Sequence, residues 1–169
     1  GDTMGAQVIG ETLGRGFKGT YSRENIHKVV TGVAGAVLTV GQAVKYDSSG
    51  EIVAMGAGDT ADKFLGVVVR SVKQATTIDQ TVATYAAGDV VPVITMGNVI
   101  VEVLGSTNTS RNSSPFIQIT AGDVPTVGAW VGKADTSSAN TIEIKNARFN
   151  GVRDADNLAE LSILYPINA

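Results

Sequence analysis

The sequence predicts an all-β domain preceded by an extended N-terminal arm, and three observations predict it. Val, Thr and Ile supply 23, 17 and 12 of the 169 residues. These β-branched side chains are stiff at χ1 and suit a pleated surface better than a helix. Glycine reaches 20 residues, well above the usual ~7%, which supplies tight turns. Finally, the apolar runs are short and bounded by turn residues, the pattern of many brief strands.

The length fits one domain with a modest core. The chain has no cysteine, which excludes a disulfide scaffold, thiolate chemistry and Cys-ligated metal. Its net charge of −3 and pI near 5.1 leave no basic excess for neutralising phosphates, so nucleic acid is not an expected partner. Nothing approaches 18 consecutive apolar residues, so no membrane-spanning helix is expected. No charged n-region followed by an apolar stretch is visible, so no signal peptide is expected.

Residues 1–22 (GDTMGAQVIGETLGRGFKGTYS) are glycine-punctuated and lack a sustained period of 2 or 3.6. Such a start reads either as a solvated tail or as an arm that orders against a partner. Val8, Ile9, Leu13, Phe17 and Tyr21 are too apolar for a simple tail, and with Lys18 they form the candidate partner-binding set. Residues 23–169 form the β domain. Its first segment, 22–35, matches a helical template at Ile26, Val29, Val30 and Val33, with Ser22 as a potential N-cap. The β-branched run and Gly32 and Gly35 favour extended structure or a single helical turn.

From Ala36 the β signal strengthens. The run 36–55 (AVLTVGQAVKYDSSGEIVAM) reads as a strand, a corner at Gly41, a strand over 42–46, a DSSG turn and a strand over 51–55. Residues 64–73 (FLGVVVRSVK) form another strand-like run. Residues 90–94 and 99–103 predict a hairpin across Met96, Gly97 and Asn98, with Pro92 confining its strand to an edge or bulge. Residues 105–115 (GSTNTSRNSSP) predict a polar surface loop that tolerates insertion, with sequons at Asn108 and Asn112 marking exposure. FIQIT at 116–120 alternates. The GDV triplets at 88–90 and 122–124 predict similar strand entries. Trp130 is expected in the core. Residues 158–165 read as a final strand, with a helical start after Asp154 or Asp156 as the other reading.

Signals of chemistry are weak. GAGDTA at 56–61 satisfies G-x-G-x-x-A after a strand, but a strand follows where the dinucleotide fingerprint needs a helix and then a parallel strand. His27 is the single histidine, no G-x-S-x-G elbow accompanies any serine, and a surface or capping role is expected for it. Asp47 with Glu51, or Asp59 with Asp62, could approach a hard cation, but Ca²⁺ wants six to eight oxygens in an organised loop. Solvated turn acids are the ordinary reading. No cofactor, metal or catalytic residue is expected. Any two of the 16 acids could converge as a glycosidase pair, but the aromatic platforms of carbohydrate sites are scarce here.

The ordered series GFKGTY at 16–21, VGQAV at 40–44, FLGVV at 64–68, YAAGDVVPV at 85–93, MGNVIV at 96–101 and ARF at 147–149 before Leu158 and Ala159 resembles the structural cement (capsid decoration) proteins of tailed bacteriophages. The likeness runs over residues 16–165. Residues 105–115 and the RDADN at 153–157 match no family pattern. The resemblance implies a single β-barrel or β-sandwich, jelly-roll-like. It also implies a virion protein made in the bacterial host cytoplasm that binds the outside of an assembled capsid. Its partners would be the major capsid protein and neighbouring copies of itself, as dimers or trimers, clamped against internal genome pressure. Two other readings compete: a head fibre or receptor-binding domain, and a small β-barrel hydrolase built around His27.

Overall fold

The computed structural model describes residues 27–70 and 84–168. The arm expected over 1–22, the start of the segment at 22–26 and the end of the run at 64–73 lie outside them. The described chain is all-β. Its strands are β1 (Lys28–Val33), β2 (Leu38–Thr39), β3 (Ala43–Tyr46), β4 (Ile52–Ala54), β5 (Gly66–Val68), β6 (Thr84–Tyr85), β7 (Val90–Leu104), β8 (Phe116–Gln118), β9 (Trp130–Val131), β10 (Thr141–Glu143), β11 (Ala147–Phe149) and β12 (Leu158–Ile163). Single 3₁₀ turns occur at Ala61–Lys63 and Ser138–Asn140. Residues 28–33 and 158–163 are strands, which settles the described part of the first ambiguous segment and the second.

One ten-stranded sheet is organised around β7, and β2 and β6 form a separate pair. The first half of β7 pairs β1 and β5; the second half pairs β12 antiparallel and β9 parallel. Each half curls back on itself. The first curl runs β1-β7-β5-β3-β4 and is shut by a bridge between Ala34 and Ile52. The second runs β8-β9-β7-β12-β11 and is shut by backbone bonds between Phe149 and residues Asn112 and Ser113 at 2.7 and 3.0 Å. Two cores follow. Leu38, Val44, Ile52, Leu65, Val68, Val91 and Val93 fill the first curl. Phe64, Val67, Ile94, Val101, Val103, Ile117, Trp130, Phe149 and Leu161 form the larger second core. Trp130 is in the core as expected, edge-on to Phe64, and its Nε1–H donates to the Gly41 carbonyl at 3.2 Å.

The hairpin expected across Met96, Gly97 and Asn98 is corrected: residues 90–104 are one continuous strand. Gly97 takes φ +121° within it. The pairing with β1 skips a residue, from Val29 opposite Ile94 to Lys28 opposite Met96. That one-residue bulge shifts the side-chain phase. Before it, Val91 and Val93 face the first core and Ile94 the second; after it, the odd positions Val101 and Val103 face the second. A tight turn would have ended the strand, whereas a bulge lets it serve both cores.

Of the edge or bulge expected from Pro92, the edge is corrected, because β7 is paired on both sides; the bulge is present, three residues on at Thr95. Thr31 is the partner of Pro92 in β1, and the Val69 N–H donates to the Pro92 carbonyl at 3.1 Å. Proline has no N–H to return that bond; the Val69 carbonyl accepts instead from the Tyr85 hydroxyl at 2.8 Å. FIQIT does not alternate in burial: Ile117, Gln118 and Ile119 are all buried. The two GDV triplets also differ. Gly88 and Asp89 lead into β7, with Gly88 at φ +92°, while 122–124 lies in a bend that enters no strand.

Candidate functional site

The residues singled out for chemistry are held by their own backbone. The Asp47 carboxylate accepts from the N–H groups of Ser49 and Glu51 at 2.8 and 2.9 Å, an Asx turn that closes the β3–β4 connection. Asp59 is buried; it accepts from the Gly56 N–H at 2.7 Å and forms an ion pair with Lys45. Asp62 accepts from the Thr60 hydroxyl, which holds its carboxyl below the ordinary range. After GAGDTA a 3₁₀ turn leads into β5, which runs antiparallel to β3. The parallel crossover that a dinucleotide needs is therefore not built. His27 is exposed and stands against Gly97. Among the described residues no group of three His, Cys, Asp or Glu side chains converges on a potential metal position.

Asp135 organises the largest polar cluster, which sequence reasoning missed. It is buried, and its oxygens accept from Gln118 Nε2 at 2.8 Å, the Asp123 N–H at 2.7 Å, the Ser137 N–H at 2.8 Å and Asn140 Nδ2 at 3.2 Å. Its own N–H donates to Thr141 Oγ1 at 3.0 Å. A Cβ on Gly122 would lie 2.3 Å from its Oδ2, so glycine is required there for close approach rather than for a turn. The Gln118 amide, followed by the Ser137 N–H, favours the ionised form and holds the Asp135 carboxyl below its ordinary value. Asp123 in turn accepts from the N–H and hydroxyl of Thr136, both at 2.8 Å. Both Asp135 oxygens are used in tying loop to loop, which is a structural role. The D-T-S spacing at 135–137, an Asx turn, was its one legible trace.

Apolar exposure is concentrated elsewhere. The outer face of β1 and the adjoining part of β7 carries Val29, Thr31, Val33, Val90 and Pro92, with no charge among them. Val33 sits opposite Val90, which is 66% exposed. A second surface lies on the outer face of the β7–β12 pair, where Ile100 and Leu158 are 53% and 39% exposed. These two residues form one side of a groove of about 570 Å³; Val40, Val69 and Arg70 also line it. The set Val8, Ile9, Leu13, Phe17, Lys18 and Tyr21 lies outside the described residues.

The loop at 105–115 is docked rather than free. Thr109 is buried and its hydroxyl donates to the Gly151 carbonyl at 2.7 Å. The Arg153 guanidinium donates to the carbonyls of Val103 and Gly105, and its N–H to Asn108 Oδ1. Residues 105–115 and the segment at 151–153 thus pack on each other.

Fold and surface together define an all-β domain in which Asp47, Asp59, Asp62 and Asp135 are engaged by its own turns and loops. Residues 4–164 match the model of the structural cement protein family (E217 gp24/Pam3 gp6), and the chain belongs to that family. It is therefore a virion-associated structural protein of a phage capsid, and the family points to a non-enzymatic role. Among solved structures, a chain of the capsid of Myoviridae phage XM1 is similar at 20% identity. The match has a TM-score of 0.65 and covers 83% of this chain and 84% of that one, a likeness of fold. No curated protein sequence matches.

Proposed function

We propose that the protein binds the outer surface of an assembled phage capsid, bridges neighbouring major capsid proteins and cements them against internal genome pressure. The observation that carries this reading is that the family match begins at residue 4 and runs to 164. The family's model thus spans most of the N-terminal segment as well as the β domain. Residues 8–21 carry a capsid or neighbour contact, through Val8, Ile9, Leu13, Phe17, Lys18 and Tyr21, and copies associate as dimers or trimers. An apolar, glycine-punctuated segment can lie along a neighbour's surface and gain affinity from backbone bonds without a dedicated pocket.

The stabilisation is linkage. A ligand that binds the assembled lattice and not free subunits shifts the equilibrium toward the lattice. Repetition over the capsid multiplies modest contacts. Deleting residues 1–22 is expected to leave a folded domain that no longer decorates heads. Electron microscopy of heads with and without the protein, counting copies per capsid subunit, reads the outcome. Full decoration by the truncated protein would remove the role of the arm, and density on the inner capsid wall would remove the outer placement.

A further inference from the structure

We infer that Asn150–Gly151 is a site of spontaneous deamidation, and that the fold holds the reaction in check by pinning the Asn150 amide to β12. The inference is independent of the cementing role. Of the chain's asparagines only Asn150 precedes a glycine. In this reaction the backbone nitrogen of the following residue attacks the side-chain Cγ, and ammonia leaves. Water then opens the resulting succinimide at either carbonyl, giving aspartate or isoaspartate. Glycine favours the attack because it has no Cβ to crowd it and lets the backbone turn into the ring.

The geometry around Asn150 opposes that attack. Its amide nitrogen, which carries two hydrogens, donates to Glu160 Oε1 at 2.8 Å and to Ser162 Oγ at 2.7 Å. The Ser162 hydroxyl donates in turn to Asn98 Oδ1 at 2.5 Å, so the amide is anchored through β12 to β7. The backbone is tied on both sides as well. The Asn150 N–H donates to the Glu160 carbonyl at 2.9 Å, and the Gly151 carbonyl accepts from the hydroxyl of buried Thr109 at 2.7 Å. The side chain cannot swing onto the Gly151 nitrogen while both amide bonds hold. Because β11 ends at Phe149, release needs only the end of the β11–β12 pair to open, a local event far short of global unfolding. The product then works against closure. A carboxylate at position 150 has no proton for Glu160 or Ser162, and it sets a second negative charge against Glu160; like charges opposed across strands destabilise the pair. Ammonia is lost, so each opening that reacts is permanent.

Full-length protein is held at neutral pH, either folded or unfolded in urea, and peptides spanning position 150 are followed by mass spectrometry for conversion of amide to acid. Conversion is expected in both, at least tenfold slower in the folded chain. Gly151→Ala, at a position where a Cβ meets nothing within 4 Å, should suppress it in the unfolded chain. Ser162→Ala should speed it severalfold in the folded chain, whereas Glu160→Gln, whose Oε1 still accepts, should leave it slow. Equal rates in folded and unfolded protein overturn the inference, as does an unfolded chain that does not convert at position 150. A folded Ser162→Ala protein that converts no faster overturns it too; if that variant does not fold, Glu160→Ala is read by the same criterion. Asn150→Asp should lower the midpoint of thermal unfolding, and Glu160→Gln in that background should restore it. A midpoint unmoved by Asn150→Asp would remove the opposition to closure.

Discussion

Tyr85 and Pro92 are far apart in sequence and solve one problem between them. A proline within a two-sided strand leaves a ladder carbonyl without its donor, and an unmet buried acceptor costs about 1–3 kcal/mol. The Tyr85 hydroxyl meets that need at the Val69 carbonyl. Tyr85→Phe is therefore expected to destabilise by about 1–2 kcal/mol. Its cost should shrink in a Pro92→Val background, where a backbone N–H returns; urea unfolding of the double-mutant cycle reads the coupling. Lys45 and Asp59 form an asymmetric pair, with side chains 21% and 3% exposed. Losing the lysine strands a buried carboxylate, while losing the carboxylate leaves a lysine that can turn to water. Lys45→Met should cost about 3–5 kcal/mol and Asp59→Asn less, by the same measurement. Asp135 adds a pH dependence. Its carboxyl is held below 3.8 by Gln118 first and then by the Ser137 N–H. A depressed folded value means that its stabilisation is present above the unfolded value and is lost as pH falls through the folded one. Asp135→Asn should thus be less stable at neutral pH and show a shallower loss of stability below about pH 4 in thermal unfolding across pH.

The elements differ in how far the sequence specifies them. Strands bounded by strong turn chemistry were legible: the DSSG turn at 47–50 places β3 and β4 within a residue or two of expectation, because Asp47 caps the turn itself. The segment 90–104 was not. Gly97 between two valine-rich runs is locally indistinguishable from a turn, and only the distant neighbours β1 and β12 show that the strand continues through it, with its bulge at Thr95. Gly97→Ala is expected to cost more than about 1 kcal/mol, since φ is +121° and a Cβ would meet His27 at 2.8 Å. Gly50→Ala, at φ +79° with open space around it, should cost less. Comparing midpoints of denaturant unfolding distinguishes the two. The loop at 105–115 reads as a polar surface loop from its composition, and that reading carries no sign of its docking. Its docking depends on Arg153 and Gly151, which no local pattern connects to it. Through Asn112 and Ser113 it also covers the open edge of β11, a device against edge-to-edge association.

At the scale of the molecule, composition gave the class and little of the arrangement. β-branched residues and glycine predicted a compact all-β domain, and the resemblance predicted its role in a virion. Two cores on one shared strand could not be read from either, because long-range pairing leaves no periodic trace. The same holds for the candidate surfaces. The groove at Ile100 and Leu158 exists only once β12 lies beside β7. Because the cores share β7, they should melt as one: a single cooperative transition with equal calorimetric and van't Hoff enthalpies is expected for the chain and for its 23–169 truncation alike. Two separated transitions would show that the curls are independent.

The placement of β12 also sets when the molecule can be finished. The second half of β7 is completed by a partner, β12, that follows it far along the chain, and a strand of valine and isoleucine left unpaired is an invitation to aggregate. Closing the second curl therefore requires residues 158–163, which lie well beyond β7 in the chain. A chain shortened by its last dozen residues would fail at that step, before any head is met.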